Sequence, residues 1–537
     1  MRKLLGHIIA GSLTDGLVMR MQPQTTFTEM KTGKFVSIDC NQYTFFSLIT
    51  DLKLEVTHQD ILLFPPQEDE VFLHDILRQK DVYATAVLRP MLMLDANQHP
   101  TPVKTIPGHF SAVYEATAKE VGCIFGDETE PTKRYFNIGH PLDMQTPVCL
   151  DLEKLVERSN GIFGKTGTGK TFLTRLILAG LIHHDKAVNV IFDMHSEYGL
   201  QARQEGNNKA FVKGLKTLFA SKVAIFSLDP ASTRRRGGAA DIDIVLTYQS
   251  IHVEDIISLE SELNLNATAL EAAYLIAARY KHDWLHVLLQ QGDAIKEFAH
   301  SIGAHPESIA ALYRKLKRIE QLPFFVSKHE QGAYHGPDIV DQMMAYIDKG
   351  ISIIIEFGNF TSSFCYLLIA NIITRRLHAE YVKKTEQFLG THNKGTEPKK
   401  VLITIEEAHK FLNPQAARQT IFGTIAREMR KYYVSLLIVD QRPSGIDQEI
   451  LSQIGTKIIA QLSDERDLQA VLIGTHNASH MRTILASLDS KKQVLLLGHA
   501  LAMPVVVQIR DYDEQFYRAM GDTITKEQID TLIQEIF

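Results

Sequence analysis

The sequence predicts an α/β protein: a parallel-sheet core preceded by an all-β region and interrupted by a helical insert. Three observations carry that expectation. A glycine-rich octapeptide, 164–171, lies between an apolar run and a helical run. Later apolar runs are short and bounded by carboxylates or turns, as buried parallel strands are. From 251 to 345 the pattern changes to helical spacing with few strand signals.

Residues 1–125 hold short β-prone runs, among them Phe35–Ile38, Ile61–Phe64 and Val82–Leu88. Turn residues such as Pro65-Pro66, Pro90 and Pro107-Gly108 separate them, so a small barrel or sandwich is expected. The first residues, Met1 to Ala10, look briefly like a signal peptide. His7 breaks the apolar run and no small-residue cleavage site follows, which favours a first strand. A linker-like stretch, Gly126 to Pro131, opens the first part of the core, 126–250.

In the core, Asn160-Gly161-Ile162-Phe163 leads into Gly164-Lys165-Thr166-Gly167-Thr168-Gly169-Lys170-Thr171. This fits G-x-x-x-x-G-K-[ST]. Its glycines let backbone N–H groups turn inward around phosphates, because glycine tolerates positive φ. Lys170 brings a charge to the β and γ phosphates, and the Thr171 hydroxyl can ligate Mg²⁺. The run Phe172 to Ile182 predicts a helix whose N-terminus favours the anion. A nucleoside triphosphate, ATP with Mg²⁺, is the expected ligand of Gly164, Lys165, Thr166, Gly167, Thr168, Gly169, Lys170, Thr171 and Phe172.

The strand Ala187 to Asp193 ends in a carboxylate. Asp193 and Glu197 either tune the attacking water or bind a neighbouring arginine, and a capping role is the alternative for Asp193. Strands are also expected at 223–226 and 241–244. Thr233 to Gly238, with Arg234, Arg235 and Arg236, predicts a flexible basic loop suited to DNA contact or plain solvation. The insert covers 251–345, and the second part of the core, 346–510, supplies strands near 351–357, 401–405, 434–439 and 494–497. The polar segment 383–400, with Gly390, Gly395 and Pro398, predicts an exposed loop, and 511–537 is expected to close with a helix from Lys526.

ATP hydrolysis needs a second strand end that supplies carboxylates. Val401 to Ile405 followed by Glu406-Glu407-Ala408-His409 provides them: Glu406 on the Mg²⁺ side, Glu407 as general base for water. Arg427 and Arg430 share a face of a predicted helix and are candidates to reach a neighbouring subunit's γ-phosphate. Gln441, at the end of the 434–439 strand, is placed to sense γ-phosphate or orient water, and Arg442 is another finger candidate.

The chain's 537 residues exceed one ordinary core. A net charge of −6 excludes a globally basic nucleic-acid binder, so any DNA contact must come from a local patch or an internal channel. Cys40, Cys123, Cys149 and Cys365 are far apart and form no C-x-x-C pair, which argues against a disulfide framework or zinc site and for a reducing cytoplasm. No 18-residue apolar span predicts a membrane helix.

Together, the phosphate loop, Asp193-x-His195-x-Glu197-Tyr198, Glu406 to His409, Arg427 to Tyr432 and Gln441 to Ser444 resemble the HerA branch of the HerA/FtsK ATPases. The resemblance covers nearly the whole chain. It implies an N-terminal β-barrel at 1–125, a RecA-like P-loop core, a helical bundle as the insert and a C-terminal brace at 511–537. It further implies a homo-hexamer that hydrolyses ATP between subunits and translocates double-stranded DNA. Carried across, Lys170 and Thr171 bind phosphate and Mg²⁺, and Glu406 is the metal-side carboxylate. Glu407 is the base, Arg430 the first choice of trans finger, Arg427 the second, and Gln441 the sensor. Family members often carry glycines where Met429 and Tyr433 stand here. An effector in trans, nuclease or sirtuin-like, is the expected partner, in DNA-end processing or antiphage defence. An ATP-binding ring scaffold that regulates such an effector is the alternative, and a membrane conjugation or secretion ATPase is disfavoured.

Overall fold

The structure, a computed structural model, describes residues 2–23, 30–40, 42–58, 62, 81–204, 207–327, 336–418, 420–428, 431–475, 478–486, 488–489 and 492–521. Arg430, residues 61 and 63–66, and the helix expected from Lys526 lie outside the described residues. Two compact units form: 1–152 with 458–461 and 475–510, and 153–457 with 462–474 and the chain from 511 onward. Segments 126–152 and 475–510, expected within the core, therefore group with the barrel. Backbone pairing explains this. Tyr135–Pro141 pairs antiparallel with both Val148–Asp151 and Val505–Ile509, and Val505–Ile509 pairs with Gln493–Gly498.

In the first unit a barrel closes from six strands: Gly16–Met21, Leu4–Ser12, Ala112–Glu115, Phe35–Asp39, Thr44–Val56 and Val82–Leu94. Closure is the Leu17↔Leu88 to Arg20↔Thr85 pairing, which leaves no open edge between first and last strands. Alternate side chains such as Leu5, Met19, Ile38, Phe45, Leu88 and Val113 fill its core. Pro90, read as a separator, instead lies inside Val82–Leu94. The register slips by one residue beside it, from Phe46↔Leu92 to Ser47↔Pro90. A bulge tolerates proline because the lost N–H is not needed there.

The second unit carries a parallel sheet ordered Ile242–Asp243, Val223–Ser227, Ser352–Glu356, Val188–Asp193, Val401–Glu406, Val434–Asp440, Asn160–Phe163. Strand Asn160–Phe163 joins the expected strands, and all but the edge strand Ile242–Asp243 are nearly continuous in buried residues. Among the described residues the insert is helical from Val253–Ile257 to Ile339–Asp348, and Phe325–Val326 within it pairs with Leu246–Thr247 just before it.

Two further expectations are corrected. The 383–400 segment is a loop only after Thr391, because the helix Ser363–Thr391 runs through its first part. Lys383-Lys384-Thr385-Glu386-Gln387 are mostly good helix formers, and Lys384 pairs with Asp348 at 2.6 Å, so polarity marked a solvated helix. The basic stretch at 233 is likewise no free loop. Pro230–Arg235 is a helix capped by Asp229, whose carboxylate accepts the Ser232 N–H at 3.0 Å. Arg236 is committed to the fully buried Glu356 at 2.6 Å.

Candidate active site

Strand Asn160–Phe163 is wholly buried, and the chain turns from it into the loop and then the helix Lys170–His183. Gly167 and Gly169 take φ of 79° and 86°. A Cβ at either position would meet nothing within 4 Å. Glycine is therefore required by backbone conformation and not by crowding. Gly169→Ala is expected to cost about 1–2 kcal/mol from left-handed strain, read as a lowered midpoint of denaturant unfolding; an unchanged midpoint would contradict it.

Within the loop, the Lys170 ammonium donates to the Lys165 carbonyl at 2.9 Å, and the Thr168 hydroxyl donates to the same oxygen at 2.8 Å. The Lys170 charge is thus held over the loop and the helix start, where an anion is favoured. On the outer side, Lys165, Thr166, Gln441, Arg442 and Asp467 line a cleft of about 420 Å³. On the other, Thr171, Phe172, Arg175, His195 and Glu197 line one of about 540 Å³.

The neighbouring strands end on acids. In sheet order these are Glu356, Asp193, Glu406 and Asp440, each the last residue of its strand, followed by the strand that enters the phosphate loop. Each acid is held differently. Glu356 pairs with Arg236 and accepts the Thr233 hydroxyl at 2.9 Å. Asp193, fully buried, accepts the backbone N–H groups of Glu197 and Tyr198 at 2.8 and 2.9 Å, which fixes the turn after its strand. Glu406 accepts the Tyr198 hydroxyl at 2.7 Å, and its backbone N–H donates to Tyr366. Asp440 accepts from His409 and Arg442.

Burial pushes Glu406 up to about 8 and Asp193 up to about 7, and the neighbouring acids add to both. In an unfolded chain both ionise near pH 4. The folded state therefore holds more protons between about pH 4 and 8, and stability falls as pH rises through that window. The thermal midpoint of the nucleotide-free protein is expected to drop from about pH 6 to about pH 9. Glu406→Gln should flatten that drop, and parallel pH curves for the two proteins would contradict the assignment.

Glu407 follows Glu406 with φ 50°, a left-handed conformation that turns the chain sharply off the strand. Its Oε1 accepts the Gln441 amide N–H at 3.0 Å, and Gln441 Oε1 accepts the Thr166 hydroxyl. The structure thus joins three expected site residues, Thr166, Gln441 and Glu407, in one hydrogen-bonded chain. It does not bring Arg427 to that chain. Arg427, near the end of Ile421–Glu428, donates to the Ala417 carbonyl at 3.0 Å and faces Glu449 at 3.9 Å.

Sequence reasoning passed over several partners. Glu356 and Asp440 carried the same signal as Asp193, an apolar run closing on an acid. Arg175 is nearly fully buried; its Nε donates to the Glu197 carbonyl at 2.9 Å, with its guanidinium 5.2 Å from the Phe172 ring. A lone charge within Leu173 to Leu181 was its signal. Nothing in the sequence marked Tyr366, because its contact with Glu406 spans forty residues.

The model of the family described as "Helicase HerA, central domain" matches residues 136–377. Among curated proteins, the chain is similar to the DNA double-strand break repair helicase HerA of Sulfurisphaera tokodaii, 24% identical over 95% of this chain and 93% of that one. The protein of the same name from Pyrococcus furiosus is 24% identical over 68% of each chain. Among solved structures, VirB4 of Thermoanaerobacter pseudethanolicus covers 71% of this chain and 98% of its own, at 13% identity and a TM-score of 0.45. The phosphate loop, the strand-end acids and these sequence matches agree: the chain is an ATPase similar to the HerA helicases, with residues 136–377 matching their central domain.

Proposed function

We propose that this chain is an ATP-driven translocase of double-stranded DNA, working as a ring of six copies. The observation that carries the reading is the chain Thr166–Gln441–Glu407, which ties the phosphate loop to the carboxylate next to the metal-side acid. Glu407 takes the proton of the attacking water, and Gln441 reports whether a γ-phosphate displaces its bond to Thr166. Thr171 and Glu406 fit a divalent cation: both offer oxygen ligands, and the crowding of Glu406 by Asp193, Glu197 and Glu407 is the kind of negative charge that Mg²⁺ relieves. When bound, Mg²⁺ supplies charge neutralisation on the phosphates. Relatives named as DNA repair helicases support DNA as the substrate.

Turnover of the purified chain, measured with and without linear duplex DNA, tests the reading. Stimulation by duplex is expected; a rate indifferent to duplex overturns it. No described helix is long and apolar enough to cross a membrane, in line with a proposed site of action in the cytoplasm. An effector, a nuclease or a sirtuin-like enzyme, is proposed to act in trans, docked on the barrel unit, where Leu13, Leu54 and Phe110 are exposed.

Arg430 of a neighbouring copy is proposed as the first finger on the γ-phosphate and Arg427 as the second. Arg430→Ala is expected to lower turnover by about 10³-fold or more. Mixing it with Lys170→Ala copies should restore part of the rate, because some interfaces then pair an intact lysine with an intact arginine. Absence of recovery in mixed assemblies would count against a finger supplied across the interface.

A further inference from the structure

We propose that His409, held by the buried Asp440, is the positioning residue of Glu407. The proposal rests on Glu407 being the base. A carboxylate at the end of two methylenes has several rotamers, and only those aimed at the attacking water are productive. Here its two oxygens meet different neighbours. Oε1 accepts from Gln441, whereas Oε2 lies 3.7 Å from Nε2 of His409. Gln441 is shared with Thr166 and is the partner that nucleotide would draw away. His409 is the partner that stays.

Asp440 makes that permanence possible. It is fully buried at its strand end, accepts the His409 backbone N–H and the Arg442 backbone N–H at 2.6 Å each, and lies 3.0 Å from His409 Nδ1. One carboxylate therefore staples the segment after Glu407 to the segment holding Gln441. With Nδ1 committed to Asp440, the ring has one orientation left, which presents Nε2 to Glu407. The other cation nearby, Lys410, sends its ammonium to Ser363 at 3.0 Å. The hydrogen bond that His409 donates to Asp440 raises the affinity of the ring for its second proton, with the charge of Glu407 acting in the same direction. The protonated ring donates from Nδ1 to Asp440 and turns its second N–H toward the Glu407 carboxylate.

Two variants separate this role from a merely structural one. His409→Asn keeps a donor where Nδ1 meets Asp440 and removes the group facing Glu407. His409→Gln places an amide nearer the Nε2 position. Steady-state turnover, KM for ATP and thermal midpoint are measured for both, beside Asp440→Asn and Glu407→Gln. The expected result is a fall in kcat on the order of 10- to 100-fold for His409→Asn and Asp440→Asn. His409→Gln should recover most of the rate, and KM and the midpoint should change little. Equal rates for the Asn and Gln variants, or a loss that follows the midpoint, overturn the proposal. If Glu407→Gln keeps its turnover, the base reading fails and takes this one with it. If Glu407→Gln is dead and His409→Asn is as active as the unaltered protein, only the positioning role is lost.

Discussion

Lys170→Ala is expected to reduce ATP turnover by at least about 10²–10³-fold, the scale of losing one preorganised electrostatic group at the transferred phosphoryl. The residue opens the helix Lys170–His183, and its ammonium bonds the Lys165 carbonyl at 2.9 Å, folded over the loop. The charge is held over the loop and the helix start, where an anion is favoured. Alanine is the better helix former, so the helix is not weakened. Arg175 and the Thr174 hydroxyl keep their bonds, because those go to the backbone carbonyls of Glu197 and Lys170. The loss should therefore appear in nucleotide affinity and turnover with the thermal midpoint little changed. Retained hydrolysis would mean that the loop does not serve the nucleotide as described.

How much was legible in the sequence varies with the range of the interaction. The loop could be read because its chemistry is contiguous: glycines with φ near 80°, a lysine and a threonine within eight residues. The strands were legible because a parallel sheet buried on both faces needs unbroken apolar runs, and Val188–Asp193 and Val434–Asp440 are wholly buried. Pro90 misled because a bulge depends on the partner strand, which local sequence does not show. The Arg234 to Arg236 stretch misled for a similar reason. Its last guanidinium is neutralised by Glu356, 120 residues away. In the site, Glu406 and Glu407 announced themselves by position, but the groups that meet them come from distant segments. Tyr198 follows strand 188–193, Tyr366 lies on the helix Ser363–Thr391 and Gln441 follows strand 434–440, so their contacts depend on how the sheet and helix pack.

Glu407→Gln is the change expected to separate chemistry from binding most cleanly, with turnover lowered about 10²–10⁴-fold, the usual worth of a general base. The substitution keeps the side chain's length and leaves an oxygen that can still accept from Gln441, now at 3.0 Å from Oε1. The phosphate loop keeps Lys170 over Lys165, and Glu406 keeps its bond from Tyr198. Affinity for ATP with Mg²⁺ should therefore match the unaltered protein, unlike Lys170→Ala. The same variant also divides the two functional readings. A translocase must hydrolyse to move, so Glu407→Gln should abolish displacement of a protein roadblock from duplex DNA. A ring that only assembles an effector on binding ATP would stay active in the host with this variant. Wild-type function in the host, alongside abolished turnover in the same purified variant, would leave the scaffold as the working account of this chain.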